Sequence, residues 1–187
     1  MRQVVDTERI VVEVSLAEQR LRLSRNGEML MDCRISTARN GAGERTGSEC
    51  TPRGWHLVRA KIGAGCPVNT VFRRRRPTGE LYTPRLRESH PGRDWILTRI
   101  LWLSGLEPGL NRLGEVDTMR RYIYIHGAPD EVPMGVPGSH GCIRMRNEDV
   151  IHLFDAVPAG TRLHIREAPF DTHEPSRRGS PLPEVRR

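Results

Sequence analysis

Cys142 stands in the run Ser139-His140-Gly141-Cys142-Ile143-Arg144-Met145, directly after a glycine, and His126 ends an apolar run, Tyr122-Ile123-Tyr124-Ile125, sixteen residues earlier. These residue types suit nucleophilic catalysis. A free thiol is mostly protonated at neutral pH, so an attacking cysteine needs an imidazole or another positive influence to favour the thiolate. Two histidines could serve. His140 is so close to Cys142 along the chain that its ring is expected to point away from the sulfur, whereas His126, at the end of a separate strand, is freer to approach. His126 is therefore assigned as the base, and His140 as a structural partner that hydrogen-bonds the loop. Glycine at 141 lets the backbone turn sharply, so N–H groups around Gly141 and Cys142 are expected to face an oxyanion, with Ser139 supporting the same loop. Arg144 reads as a holder of a substrate carboxylate, the alternative being an ion pair that braces the loop. Gly127, next to the base, is assigned to substrate binding as well.

His126-Gly127, then about a dozen residues that include Met134-Gly135, then Ser139 to Met145, resembles the signature of the L,D-transpeptidase catalytic domain, the YkuD family. The resemblance extends to Thr51-Pro52-Arg53-Gly54-Trp55-His56, similar to the family's Thr-Pro-x-Gly element, and to the closing stretch from Gly160 to Ile165. It covers roughly residues 8 to 166. It implies a mainly β fold, an antiparallel β sandwich with one notable helix after the catalytic loop. It also implies a cysteine acyl-enzyme that acts on peptidoglycan tetrapeptide stems, at the bond between a diamino acid and a terminal D-alanine, and that a carbapenem acylates at Cys142. No metal and no cofactor is expected.

The elements that must position these residues are short and alternating. Ile10, Val12 and Val14 alternate with Val11, Glu13 and Ser15, the period of a half-buried strand. Asn26-Gly27 supplies two residues that tolerate positive φ, so a hairpin should set Leu21 and Leu23 against Met29 and Met31. Trp55 to Lys61 and Trp95 to Leu103 read as strands, the second buried. Residues 62–94 show no sustained period and read as an extended insertion, either a lid over the site or a plain surface loop. Asn147 is placed to cap a helix that carries Val150, Ile151, Phe154 and Val157 on one face and stops at Pro158-Ala159-Gly160. A chain of 187 residues fits one domain, residues 1–167, with a tail from 168 to 187 that has nothing to pack and is expected to be disordered.

Hydrophobic residues make up 36% and charged residues 28%, and no stretch has the length of a membrane span, so neither disorder throughout nor a membrane helix is expected. The formal net charge of +7 centres on Arg73-Arg74-Arg75-Arg76. Without stacking aromatics or a recognition helix around it, the run reads as a solvated loop or as an attractor of acidic muropeptides, not as a nucleic-acid site. Cys50, Cys66 and His56 match no common zinc spacing. The N-terminus carries no visible export signal, which suggests a cytoplasmic protein, or a periplasmic one if a signal has been removed. That location leans the acceptor toward water, an L,D-carboxypeptidase that trims recycled muropeptides; an amine acceptor would make it a transpeptidase that forms cross-links. A non-catalytic module binding muropeptide or nucleic acid is the remote alternative.

Overall fold

The computed structural model describes residues 9–170. The first eight residues, on which the location argument rests, and all but the start of the expected tail lie outside this range. Ala168, Pro169 and Phe170 lie inside it; the first two are exposed, and Phe170 is packed. Phe170 is buried, its amide donates to Glu18 Oε2 at 2.6 Å, and the Arg22 guanidinium lies 4.1 Å from its ring.

Strands β1 (Ile10–Ser15), β2 (Arg20–Arg25) and β3 (Glu28–Arg34) form an antiparallel meander. Asn26 and Gly27 turn the β2–β3 hairpin with φ of 52° and 86°. Leu23 faces Met31 as expected. A bulge between Leu23 and Ser24 then shifts the rest, so Met29 lies opposite Ser24 and Leu21 opposite Cys33. Farther on come β4 (Gly54–Ile62), β7 (Ile96–Gly105), β8 (Tyr124–Gly127), β9 (Ile143–Met145), α2 (Asn147–Ala156) and β10 (Arg162–Arg166).

The stretch 62–94, read as an extended insertion, contains a hairpin and a helix: β5 (Thr70–Arg73), β6 (Arg76–Leu81) and α1 (Pro84–Ser89). Arg74 and Arg75 make its two-residue turn with φ of 48° and 64°. That conformation is usually taken by Asn-Gly, so composition conceals it. The helix start was signalled: Thr83 Oγ1 accepts from the Leu86 amide at 3.1 Å, and proline takes the first turn. Val71, Tyr82, Trp95 and Leu97 pack together and anchor the hairpin to β7, so it is an extension of the sheet.

β7 is the hub. β4 and β5 share one of its edges and β8 takes the other. Two pairings are parallel, β1 with β10 and β8 with β9, so the sheet is mixed within a mainly β fold. Just past β3, Ser36 and Arg144 exchange both backbone hydrogen bonds at 2.9 Å. This bridge joins the β3 end of the sheet to β9, so the expected mainly β fold takes the form of one sheet curled on itself. Leu21, Leu23, Leu101, Leu103, Ile125, Ile143, Met145 and Leu163 fill the curl, and α2 lays Val150, Leu153 and Phe154 against them. Each such side chain contributes about 1.5–3 kcal/mol when fully buried.

Asn147 does not cap α2. Arg146 is the cap residue, and the Asn147 carboxamide accepts from Thr98 Oγ1 at 2.6 Å and donates to Asn69 Oδ1 and the Ala128 carbonyl. Thr98 has φ of 69°, in a bulge where β7 pairs Leu97 with Gly127 and then Ile100 with His126. A buried bulge leaves polar groups off the ladder, and Asn147 is spent on satisfying them.

Candidate active site

The two-residue period of a strand sorts the catalytic segments into two faces. Ile125, Ile143 and Met145 enter the core, so Tyr124, His126, Cys142 and Arg144 share the opposite face. The parallel register sets Ile125 beside Ile143 and His126 beside Arg144. Cys142 is level with Tyr124, whose amide donates to Cys142 Sγ at 3.3 Å, so the thiol and the imidazole occupy neighbouring positions on one face.

His126 is fully buried, and its Nδ1 lies 2.8 Å from the Gly127 carbonyl. A carbonyl only accepts, so Nδ1 carries the proton. Burial holds the ring pKa below the usual histidine value, and the neutral ring therefore presents a bare lone pair at Nε2. That atom is buried and has no hydrogen-bond partner among the described residues. A buried acceptor without a partner, on the same face of the sheet as a thiol, is equipped to take a proton.

The thiol departs from expectation. Cys142 keeps partial solvent contact, but its apolar surroundings push its pKa up to about 12, against smaller opposing effects of the Tyr124 amide, Arg144 and Arg121. The resting pair is thus neutral thiol and neutral imidazole, not a preformed thiolate. At rest the thiol has the Tyr122 carbonyl as acceptor at 3.5 Å.

The loop before Cys142 is tightly held. Ser139 Oγ donates to the Cys142 carbonyl at 2.6 Å and accepts from the Gly141 amide at 3.2 Å. The Gly141 N–H is therefore engaged, and the expectation that it faces an oxyanion is corrected. Thr51 Oγ1 donates to the Gly141 carbonyl at 2.9 Å and accepts from the Ala38 amide at 3.0 Å, which gives the Thr-Pro element its work. Gly141 itself has φ of 126°, and a Cβ there would meet Ile123 Cδ1 at 3.0 Å and the Cys50 carbonyl at 3.2 Å.

Two assigned residues, His140 and Gly127, sit differently from their expected roles, and Arg144 takes the alternative stated for it. His140 is exposed and makes no side-chain hydrogen bond among the described residues; an open turn gives it no acceptor, and it lines the cleft instead. Arg144 donates to Asp94 Oδ1 at 2.7 Å and to the Gly138 carbonyl at 3.1 Å, so it braces the loop. Gly127 is buried, with Asn147 Oδ1 and the Leu97 carbonyl where a Cβ would go, so it positions the imidazole and is closed to substrate.

A cleft of about 510 Å³ opens beside the loop, lined by Arg39, Asp94, Trp95, Gly138, His140 and Arg144. Asp94 and Arg121 were missed by sequence reasoning. Asp94 was hidden in the supposed insertion. Arg121 directs its guanidinium at the carbonyls of Gly43, Glu44 and Cys50, with 2.6 Å to the last, and no motif announced it. His56, buried on β4, holds Thr118 Oγ1 and the Gly54 carbonyl, and among the described residues no three His, Cys, Asp or Glu side chains are grouped to hold a metal.

A curled, mainly β sheet that presents a cysteine and a buried histidine on one face defines the class of protein. The model of the L,D-transpeptidase catalytic domain, YkuD, matches residues 9–165, and the chain belongs to that family of enzymes. It is 33% identical over 127 residues to the Escherichia coli K12 protein "Probable L,D-transpeptidase ErfK/SrfK", covering 67% of this chain and 36% of that one. The fold is similar to L,D-transpeptidase 3 from Mycobacterium tuberculosis, with TM-score 0.54, 18% identity, and coverage of 86% of this chain and 62% of the other. It is also similar to L,D-transpeptidase LdtMt1 in complex with imipenem, with TM-score 0.52, 21% identity, and coverage of 85% and 59%. The chain thus matches about a third of that curated relative's length.

Proposed function

We propose that the protein is a cysteine acyl-enzyme acting on peptidoglycan tetrapeptide stems, with water preferred as the acceptor. The observation that carries this reading is the bare, buried Nε2 of His126 on the same face of the sheet as the partly exposed Cys142 thiol. As Sγ attacks the carbonyl carbon between the diamino acid and D-alanine, a C–S bond forms and His126 Nε2 takes the thiol proton. Collapse of the tetrahedral intermediate breaks the C–N bond, and the imidazolium returns the proton to the departing amine. The thioester is then hydrolysed: water adds as His126 takes its proton, and the sulfur leaves and is reprotonated. The products are tripeptide and D-alanine.

Charge supports water over an amine. The formal net charge is +7, and Arg39, Arg75, Arg121 and Arg144 surround the cleft and the thiol. Guanidinium groups attract an acidic donor and repel the ammonium form of an amine acceptor. To test this, a tetrapeptide donor would be supplied with a large excess of a D-amino acid, and tripeptide compared with exchanged tetrapeptide by mass. Mostly tripeptide is expected. A mixture dominated by exchanged or dimeric products would make transpeptidation the main activity.

A carbapenem tests the nucleophile. The imipenem complex of a protein with this fold motivates the choice, and the intact mass should rise by one drug mass mapped to Cys142. An adduct on Cys33, Cys50 or Cys66, or none, would refute the assignment.

A further inference from the structure

We propose that Arg75 recognises the carboxylate of the donor's terminal D-residue, an assignment that rests on the acyl-enzyme reading above. The two guanidinium groups that act on Cys142, Arg121 and Arg144, are both committed. Arg121 is caged by three backbone carbonyls, and Arg144 is paired with Asp94. Arg75 differs. Its Nη1 donates to Tyr124 Oη at 2.9 Å, and its guanidinium carbon lies 4.4 Å from the Trp102 ring and 5.0 Å from the Tyr122 ring. Among the described residues it has no carboxylate partner and no second hydrogen-bond acceptor, so its charge and most of its N–H groups are unspent.

Position connects this charge to the chemistry. The residue that holds Arg75 by its hydroxyl, Tyr124, touches Cys142 Sγ with its backbone amide, and Tyr122, under the same guanidinium, supplies the carbonyl that accepts from the thiol. Arg75 is therefore one tyrosine side chain from the nucleophile. The carboxylate of a terminal residue is a single residue, about 3.8 Å of backbone, beyond the carbonyl under attack. A fork of N–H donors with unneutralised charge, held by the tyrosine that touches the thiol, suits a carboxylate.

The turn is shaped to present the group. Arg74 and Arg75 both hold positive φ, where glycine or asparagine would be relaxed. Of the run Arg73 to Arg76, Arg75 alone is folded inward while the other three are exposed. Strained backbone maintained by specific packing is characteristic of functional positions. The same strain supplies the test, because Arg75→Gly removes the guanidinium while easing the turn.

The experiment compares a tetrapeptide donor with the same peptide ending in a carboxamide, using wild type, Arg75→Gly and Arg75→Lys, with thermal melts to verify folding. Wild type should prefer the free acid by roughly tenfold or more in kcat/KM, the size expected for hydrogen bonds to a charged group. Arg75→Gly should lose that preference through a higher KM for the free acid, and Arg75→Lys should keep part of it. Equal losses on both donors in Arg75→Gly, an undiminished preference there, or no preference in wild type would overturn the role of Arg75 alone. A wild type that cleaves neither donor would overturn the acyl-enzyme reading and this assignment with it.

Discussion

At the scale of single residues, the decisive facts are one protonation state and one backbone angle. On the proposed reading, a thiol pushed up to about 12 and an imidazole held neutral by burial act as a general-base pair, in which deprotonation accompanies attack. Alkylation of Cys142 by iodoacetamide should then rise about tenfold per pH unit from pH 7 to 9 without levelling off. A plateau with an apparent pKa near 7 would instead reveal a thiolate–imidazolium pair. If His126 is the base as proposed, activity needs its neutral form, whose pKa lies below the ordinary 6.5, so kcat/KM should fall only on acidification through values under pH 6.5. A half-maximal point above pH 7 would contradict that order. Gly141 is the second case. Gly141→Ala forces an alanine into φ of 126° against Ile123 and the Cys50 carbonyl, so about 1–3 kcal/mol of stability should go. Displacement of Sγ should also lower kcat/KM roughly a hundredfold, measured beside the melting temperature.

At the scale of elements, each catalytic side chain depends on a support from another part of the sheet. The Thr51 hydroxyl ties the Thr-Pro segment to the Gly141 carbonyl and accepts the Ala38 amide. Thr51→Val keeps the shape and leaves both groups buried without this partner. It should cost about 1–3 kcal/mol, a drop of several degrees in melting temperature, with a loss of activity larger than the loss of folded protein. A variant with wild-type kcat would show that the clamp is dispensable. Helix α2 acts from the core side, where Leu153 is wholly buried. Leu153→Ala should cost about 2–5 kcal/mol in urea unfolding, because the curled sheet can collapse only partly around the cavity.

At the scale of the whole molecule, closure of the sheet between Ser36 and Arg144 holds the catalytic strand on both edges, with β8 on one side and the chain after β3 on the other. Stability should accordingly respond to titration of groups sealed inside. His56 is buried on β4, and burial lowers its pKa from 6.5 to about 4. Between those values the unfolded chain binds more protons than the folded one, so stability rises with pH through the window and falls on acidification. The contribution lost between pH 7 and 4 is about 3 kcal/mol. Urea midpoints measured at both pH values for wild type and His56→Gln should show a smaller pH dependence in the variant. Equal dependences would place the acid sensitivity elsewhere.

The sequence by itself determined the family, the mainly β class, most strand positions and the placing of His126 at the end of a strand. Local signals suffice for these: period-two alternation, Asn26-Gly27, and a motif held within twenty residues. The β5–β6 hairpin escaped because two arginines, not glycine or asparagine, take its positive-φ turn. The true partner of Asn147 escaped because a buried bulge at Thr98 outbids a helix cap. Only the tertiary structure decided that Arg144 is spent on Asp94, that the Gly141 amide is spent on Ser139, and that the nucleophile rests as a neutral thiol. Each of these depends on which groups from distant segments come within hydrogen-bonding reach and on how much water they exclude, and neither is encoded in the spacing of a motif.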